Sequence, residues 1–192
     1  MSIKTILILA QKGGVGKTTL ANELAYSFER TGTPYSFISL DPQGEGQHHT
    51  NEIDDAVIQI VDTAGVLQDD IADMVKSSDL VIVPSGATGL DVQPLMRVGE
   101  IVNENLKPGA KLLYVINQVT RWTTSTKFVE WFNERKNGFA VELPSSEYYR
   151  KAVSMDTSVM KCAPKGSNVA VATMRFINEV RGLVGLDLEP DV

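Results

Sequence analysis

The stretch that decides the fold is Gln11-Lys12-Gly13-Gly14-Val15-Gly16-Lys17-Thr18-Thr19, which lies between an apolar run and an amphipathic run. Glycines let the backbone turn so that several N–H groups point at one spot, and a helix beginning near Thr18 adds the positive end of its dipole. Lys17 would supply a point charge to the β- and γ-phosphates of a nucleotide, and the Thr18 hydroxyl would be a ligand of Mg²⁺. The general phosphate-loop pattern has a glycine where this chain has Gln11, but the remaining glycines still predict a phosphate site.

Around this loop, short apolar runs rich in β-branched residues alternate with amphipathic runs. Such alternation predicts an α/β fold, with a mostly parallel central sheet covered by helices on both faces. In the first predicted helix, Leu20, Leu24 and Phe28 form an apolar stripe, and Gly32 and Pro34 end it. A second clear helix is predicted over 168–183. The predicted strands are 6–9, 35–40, 57–61, 80–83, 112–116 and 139–143.

Length and composition narrow the class of protein. The chain has 192 residues, of which 43% are hydrophobic and 22% charged, so we expect one domain over 1–192. The apolar runs are shorter than the roughly 18 residues that a membrane span needs, and we do not expect the first ten residues to be a cleaved signal peptide. We therefore expect a cytoplasmic protein without stable membrane insertion. The lone cysteine, Cys162, excludes an internal disulfide or a multi-cysteine metal site.

Charge is distributed unevenly along the chain. The net charge of -6 argues against a protein that coats nucleic acid uniformly. Residues 1–120 contain 8 Lys or Arg and 15 Asp or Glu, whereas residues 121–181 contain 10 Lys or Arg and 6 Asp or Glu. This asymmetry can mark a surface for a polyanion, although solvated helices produce it more often.

Two acidic residues follow predicted strands beside the loop. Asp41 is placed to orient or activate the water that attacks the γ-phosphate. Asp62 ends the third strand, where phosphate-loop enzymes hold Mg²⁺ through a carboxylate, and Gly65 would bring a backbone N–H near the γ-phosphate. Asp62 could also cap the next helix. The predicted metal ligands are thus Thr18 and Asp62.

The end of the fifth predicted strand indicates whether the nucleotide carries adenine or guanine. GTPases recognise guanine through the motif Asn-Lys-x-Asp, whose final carboxylate accepts hydrogen bonds from both guanine N–H donors. In this chain Thr120 stands at the position of that carboxylate and cannot replace it. The sequence therefore favours ATP. Asn117 could donate to and accept from an adenine edge, although a turn residue at a strand end is an alternative.

Lys12 cannot easily reach its own γ-phosphate if Lys17 occupies it, so we expect it to reach across a dimer interface. The stretch 11–19 closely resembles the deviant Walker A motif of the ParA/MinD ATPases. In that family the early lysine contacts the nucleotide of the opposite subunit. The motif Asp-Pro-Gln-Gly at 41–44 resembles switch I of ParA proteins, and the segments 78–84 and 89–92 resemble the sequence after switch II. Asp-Thr-Ala-Gly at 62–65 departs from the commonest family form and is similar to a GTPase switch II.

This resemblance, closest to small plasmid-partition ParA proteins, implies a P-loop NTPase fold and a catalytic role for Lys12, Lys17 and Asp41. It also implies that ATP and Mg²⁺ join two subunits, that the dimer binds DNA nonspecifically on the nucleoid, and that a centromere-binding or adaptor protein stimulates slow hydrolysis. The predicted nucleotide contacts are Gly13, Gly14, Val15, Gly16, Lys17, Thr18, Thr19 and Asn117. The candidates for DNA contact are Arg121, Lys127, Arg135, Lys136, Arg150, Lys151, Lys161 and Lys165.

Two other functions stay open on the sequence. One is a MinD-like or conjugation-accessory switch that positions a complex through protein or membrane partners. The other is a small-molecule kinase or ligase with the same fold. Among minor features, His48 and His49 lack a third metal ligand and predict a polar loop, Trp122 and Trp131 are expected to pack rather than stack on bases, and an acidic tail follows residue 186.

Overall fold

The structure, a computed structural model, describes residues 3–40, 48–64 and 70–190. Within these ranges, strands and helices alternate along the chain. The strands are β1 (Lys4–Ile8), β2 (Tyr35–Ser39), β3 (Ile58–Asp62), β4 (Leu80–Ser85), β5 (Lys111–Val119) and β6 (Phe139–Pro144). The helices are α1 (Lys17–Thr31), α2 (Ile71–Ser77), α3 (Val92–Asn105), α4 (Thr123–Arg135), α5 (Glu147–Ser154), α6 (Val159–Cys162) and α7 (Asn168–Val184).

The six strands form one parallel sheet in the order β2-β3-β1-β4-β5-β6. Every strand predicted from the sequence is present, and the parallel α/β architecture is confirmed. The main difference is β5, which continues to Val119 after a shift in register beyond Ile116. Gln118 has a φ of 59° at this irregularity, a backbone conformation that no apolar run can predict.

Helices cover both faces of the sheet because the central strands are apolar on both sides. On β1, Ile6 and Ile8 pack against α1 and α7, whereas Leu7 packs against α2, α3 and α4, as does Leu9 just after the strand. The predicted stripe of α1 faces the first of these cores. The short helices α5 and α6 pack beside the start of α7. Among the described helices, none is long and apolar enough to cross a bilayer.

The outer edge of β2 is covered by the chain that follows it. Phe37 and Asn51 exchange two backbone hydrogen bonds of 2.8 Å, and the Ser39 N–H donates to Thr50 Oγ1 at 3.1 Å. This segment occupies the backbone groups that an exposed edge strand would otherwise present.

The acidic tail is not a solvated extension. Gly185 ends α7 in the left-handed conformation, and the chain folds back so that Glu189 is 3% exposed. Arg30 donates to the Glu189 carboxylate from two nitrogens, at 2.7 and 3.2 Å. Asn178 and the Glu189 backbone exchange two further hydrogen bonds. The tail is therefore part of the packing of α1 against α7.

Candidate nucleotide site

The phosphate loop lies at the carboxyl edge of the sheet, between β1 and α1, where open parallel sheets bind ligands. Gly14 and Gly16 have φ angles of 74° and 97°, which favour glycine. Gly16 is also the N-cap of α1, and a Cβ there would overlap the Asn117 amide. Since a glycine cap has no side chain to accept from the first N–H groups of α1, those donors suit an anion.

Lys17 is the first residue of α1 and is only 7% exposed. It makes no ion pair with any residue that the structure describes. A buried ammonium is stable only beside negative charge or strong acceptors, which favours an anion beside Lys17. Its contact with phosphate stays a prediction.

The end of β5 fixes the loop from outside. Asn117 Nδ2 donates to the Val15 carbonyl at 3.0 Å, and Gln118 Nε2 donates to the Gly14 carbonyl at 2.9 Å. Asn117 Oδ1 accepts from the Gln118 N–H at 2.8 Å. Two loop carbonyl groups therefore already have donors, so the conformation of the loop is set within the protein.

These bonds give Asn117 a role that the sequence did not indicate. Both polar atoms of its amide are engaged, and the residue is 8% exposed. Its predicted contact with adenine stays a prediction. Gln118 was missed altogether, because a polar residue at a strand end carries no local signal of a partner more than 100 residues away.

Asp62 lies where a metal-binding carboxylate was expected. It ends β3 in register with Ile8 and Ser39 and is 1% exposed. The next residue, Thr63, donates its hydroxyl to the Ile8 carbonyl at 2.8 Å and so holds the end of β3 beside the loop. Carboxylate and hydroxyl oxygens are the ligands that Mg²⁺ takes, so Asp62 and Thr18 are of the right chemical type to hold it.

Lys12 is held by an acidic residue of its own chain. Its Nζ lies 2.6 Å from Asp91 Oδ1, at the end of the 3₁₀ turn Gly89–Asp91. Asp91 is 3% exposed and also accepts from the backbone and hydroxyl of Thr88. Burial alone raises the pKa of Asp91, but the hydrogen bonds from Lys12 and Thr88 outweigh it, so the pKa lies below its usual value. No role was predicted for Asp91, and the predicted cross-subunit contact of Lys12 stays a prediction.

The predicted hydrolytic residue, Asp41, lies outside the described residues, as do Gly65 and the rest of the motif at 41–44. The chain before Asp41 is fixed beside Asp62, because the Leu40 N–H donates to the Asp62 carbonyl at 2.8 Å.

A cleft of about 500 Å³ opens next to the loop, between the end of β5, the end of β6 and α5. Its size and position suit the nucleoside part of a nucleotide. The residues that line it are Gly14, Gly16, Thr19, Asn117, Gln118, Pro144, Ser145, Ser146, Tyr149, Arg150, Val153 and Ser154.

The eight basic residues predicted to meet DNA are all exposed, but they do not form one surface. Arg121, Lys127, Arg135 and Lys136 belong to α4 and its ends, on one face of the sheet. Arg150, Lys151, Lys161 and Lys165 belong to α5, α6 and the chain before α7, beside the other face.

The prediction for the two tryptophans was wrong for one of them. Trp122 is 75% exposed at the start of α4, whereas Trp131 packs on Phe128, with ring centroids 5.5 Å apart. The difference follows from position, because Trp122 precedes the helix and Trp131 lies on the side of α4 that faces the core.

Comparisons with known proteins agree with this geometry. The family described as CobQ/CobB/MinD/ParA nucleotide binding domain matches residues 6–169. No curated protein matches the chain in a sequence search. The predicted P-loop α/β fold is confirmed by its likeness to solved structures.

Three solved structures illustrate the likeness. An ATP complex of Cyanothece McdA has a TM-score of 0.78 at 14% identity and covers 98% of each chain. MinD of Pyrococcus horikoshii OT3 with Mg-ADP has a TM-score of 0.75 at 14% identity, over 96% of this chain and 98% of that one. A protein assigned to plasmid partition in Borrelia burgdorferi B31, bound to AMPPNP, has a TM-score of 0.70 at 15% identity, over 93% and 98%. Identities this low establish the fold alone.

Proposed function

The chain is an ATPase of the CobQ/CobB/MinD/ParA nucleotide binding domain family, and we propose that within this family it is a DNA-segregation switch of the ParA type. In this proposal one P-loop domain over 1–192 binds ATP and Mg²⁺ and dimerises. The ATP dimer binds DNA nonspecifically on the nucleoid, and a centromere-binding or adaptor protein stimulates hydrolysis. The observation that carries the proposal is a set of unpaired basic side chains on the α5–α7 layer.

That basic set consists of Lys151, Lys161, Lys165 and Arg175. All four are exposed, and none forms an ion pair with a described residue. Lys165 and Arg175 line the same cleft beside α7. On α4, across the sheet from this set, Arg135 is paired with Glu134 at 2.9 Å, whereas Lys127 is exposed and has no ion pair with a described residue. In a chain of net charge -6, unpaired cations gathered on one layer favour a polyanionic partner.

In this proposal the nucleotide-site residues have the roles that the sequence predicted. The backbone of 13–19 and Lys17 would hold the phosphates, and Thr18 with Asp62 would hold Mg²⁺, which neutralises charge on the phosphates. Asp41 would orient the attacking water. Lys12 would leave Asp91 and contact the nucleotide of the partner subunit, so that ATP is shared between two chains.

The decisive experiment measures binding to nonspecific double-stranded DNA with ATP, with ADP and without nucleotide, at two salt concentrations. We expect binding only with ATP, and weaker binding at the higher salt because phosphate contacts release counterions. Lys165→Glu should reduce affinity by roughly tenfold, since it replaces an attractive charge with a repulsive one. Lys127→Glu makes the same charge change on α4 and should leave binding near that of the wild type.

A second candidate is a switch that positions a protein complex, and one observation favours it. Leu90, next to Asp91, is 82% exposed, and Met96 on α3 is 51% exposed. Exposed apolar side chains beside the Lys12–Asp91 pair suit a protein partner that responds to the nucleotide state. If the chain binds no DNA in any nucleotide state, the segregation role is wrong, and the positioning of a protein complex becomes the proposed function.

A further inference from the structure

Glu23 is a buried carboxylate on α1 to which the nucleotide site described above gives no role. It is 3% exposed, and both of its oxygens face the start of α6. The Ser158 hydroxyl donates to Oε2 and the Val159 N–H donates to Oε1, each at 2.7 Å. Ser158 is 1% exposed and Val159 is fully buried, so these bonds are sheltered from water. Glu23 thus holds the start of α6 to α1 through both atoms of its carboxylate.

A carboxylate in this position needs a reason, because it is poorly compensated. Burial raises the pKa of Glu23, and the hydrogen bonds from Ser158 and Val159, together with the charge of Arg30, only partly offset that rise. No described residue forms an ion pair with it. A well-packed apolar side chain of similar volume is often as stable in such a place. What the carboxylate adds is direction, since two short hydrogen bonds restrict how α6 lies against α1.

The segment that Glu23 holds continues into one wall of the nucleotide cleft. Residues 155–157 join α5 to Ser158, and the Thr157 N–H donates to the Ala152 carbonyl of α5 at 3.1 Å. Ala152 and Val159 are buried in the same cluster, so α5 and α6 pack as one unit. The residues of α5 that line the cleft are Tyr149, Arg150, Val153 and Ser154.

The opposite wall of the cleft includes the phosphate loop and the first turn of α1. Gly14, Gly16 and Thr19 line it there, and Glu23 follows Thr19 about one turn later on the same helix. A second contact also holds α5, because the hydroxyl groups of Tyr149 and Thr173 lie 2.9 Å apart. That contact leads to α7, whereas the bonds of Glu23 lead to the helix that starts at the phosphate loop.

We propose that Glu23 is a positioning residue for ATP binding, which sets the spacing between the phosphate loop and the α5 wall of the cleft. The proposal rests on the nucleoside lying in that cleft. The loop itself is fixed separately, by Asn117 and Gln118 at the end of β5. Loss of Glu23 therefore weakens what the nucleoside adds to affinity and leaves what the phosphates add.

The test compares two ligands by calorimetry in the presence of Mg²⁺: ATP, and inorganic tripolyphosphate, which has the phosphates without the nucleoside. Glu23→Ala removes both bonds to α6. We expect it to weaken ATP binding roughly tenfold, while tripolyphosphate binding stays within about twofold of the wild type. Glu23→Gln keeps the side-chain volume and one acceptor oxygen, so its loss of ATP affinity should be intermediate, about threefold. Ser158→Ala removes one of the same bonds from the other side and should also give a selective loss of ATP affinity.

Glu189→Ala separates positioning from stability. It removes another carboxylate that is 3% exposed and bound to α1, but at the end far from the phosphate loop. We expect it to lower the stability of the fold and to leave the ratio of the two affinities as in the wild type. The proposal is wrong if Glu23→Ala weakens both ligands equally, if Glu189→Ala shifts the ratio as far, or if Glu23→Gln binds ATP as weakly as Glu23→Ala.

The place of the nucleoside is tested separately by Val153→Trp, which fills the cleft from an exposed position on α5. This variant should weaken ATP binding and spare tripolyphosphate. Unchanged ATP affinity would show that the nucleoside lies elsewhere, and the role of Glu23 would then be disproved through its premise and not through its own bonds.

Discussion

At the scale of single residues, Lys12 has two competing partners. Within one chain its ammonium is bound to a buried carboxylate that also accepts two hydrogen bonds from Thr88. Gly86 makes room for this arrangement, because a Cβ there would overlap the Asp91 carboxylate. The Lys12 side chain is nevertheless 41% exposed, so it is accessible to a second subunit. The proposed dimerisation would exchange this internal ion pair for one with a phosphate.

Lys12→Ala should therefore have two separable effects. We expect a loss of about 1 kcal/mol in the free energy of unfolding near pH 7, because a partly exposed pair is screened. Since the pKa of Asp91 is lowered in the folded state, this contribution should disappear as the pH falls through that pKa. Lys76→Ala removes an exposed pair with Asp73 and should cost less than about 0.5 kcal/mol.

The second effect concerns association. ATP-induced dimerisation, followed by light scattering, should be lost in Lys12→Ala, while nucleotide binding remains because Lys17 is untouched. Lys76→Ala should dimerise as the wild type does. A Lys12→Ala protein that still dimerises with ATP would show that the lysine does not cross the interface.

At the scale of elements, the sequence predicted what depends on local pattern. The apolar run 112–116 predicted β5, and the stripe of α1 predicted its buried face. The continuation of β5 to Val119 could not be predicted, because its stability depends on bonds to the phosphate loop. The partner of Lys12 was missed because Asp91 lies 79 residues away in the sequence. Those contacts join residues far apart in sequence or polar residues with no periodicity.

The end of β5 offers a test of how the loop is fixed. Gln118→Ala should lose about 1 kcal/mol of stability without nucleotide, because it deletes one hydrogen bond and keeps the left-handed backbone. Gln118→Gly also deletes the bond but relieves strain of roughly 1 kcal/mol, so its net loss should be smaller. Both variants should bind an ATP analogue more weakly. Urea unfolding that finds Gln118→Ala as stable as the wild type would show that the bond to Gly14 contributes nothing.

At the scale of the whole molecule, the last described residues are joined to α1 and α7 on one face of the sheet. Helix α1 starts at the phosphate loop, and near its other end Arg30 and Ser27 bind Glu189 of the acidic tail. Arg181 on α7 donates to the Asp187 carbonyl at 2.6 Å and to Thr31 Oγ1 at 3.0 Å. The helix that would bind the phosphates is thus stabilised at its far end by the last described turn.

Glu189→Ala tests this connection. The change leaves the Arg30 guanidinium without its carboxylate in a mostly buried position, and we expect a loss of about 3 kcal/mol in the free energy of unfolding. Asp187→Ala removes the same charge from an exposed side chain of the same tail and should change stability by less than about 0.5 kcal/mol. Urea unfolding of both variants gives the comparison. Equal stabilities would mean that the tail adds only charge, whereas the expected difference would show that the buried Arg30–Glu189 pair stabilises the packing of the tail on α1.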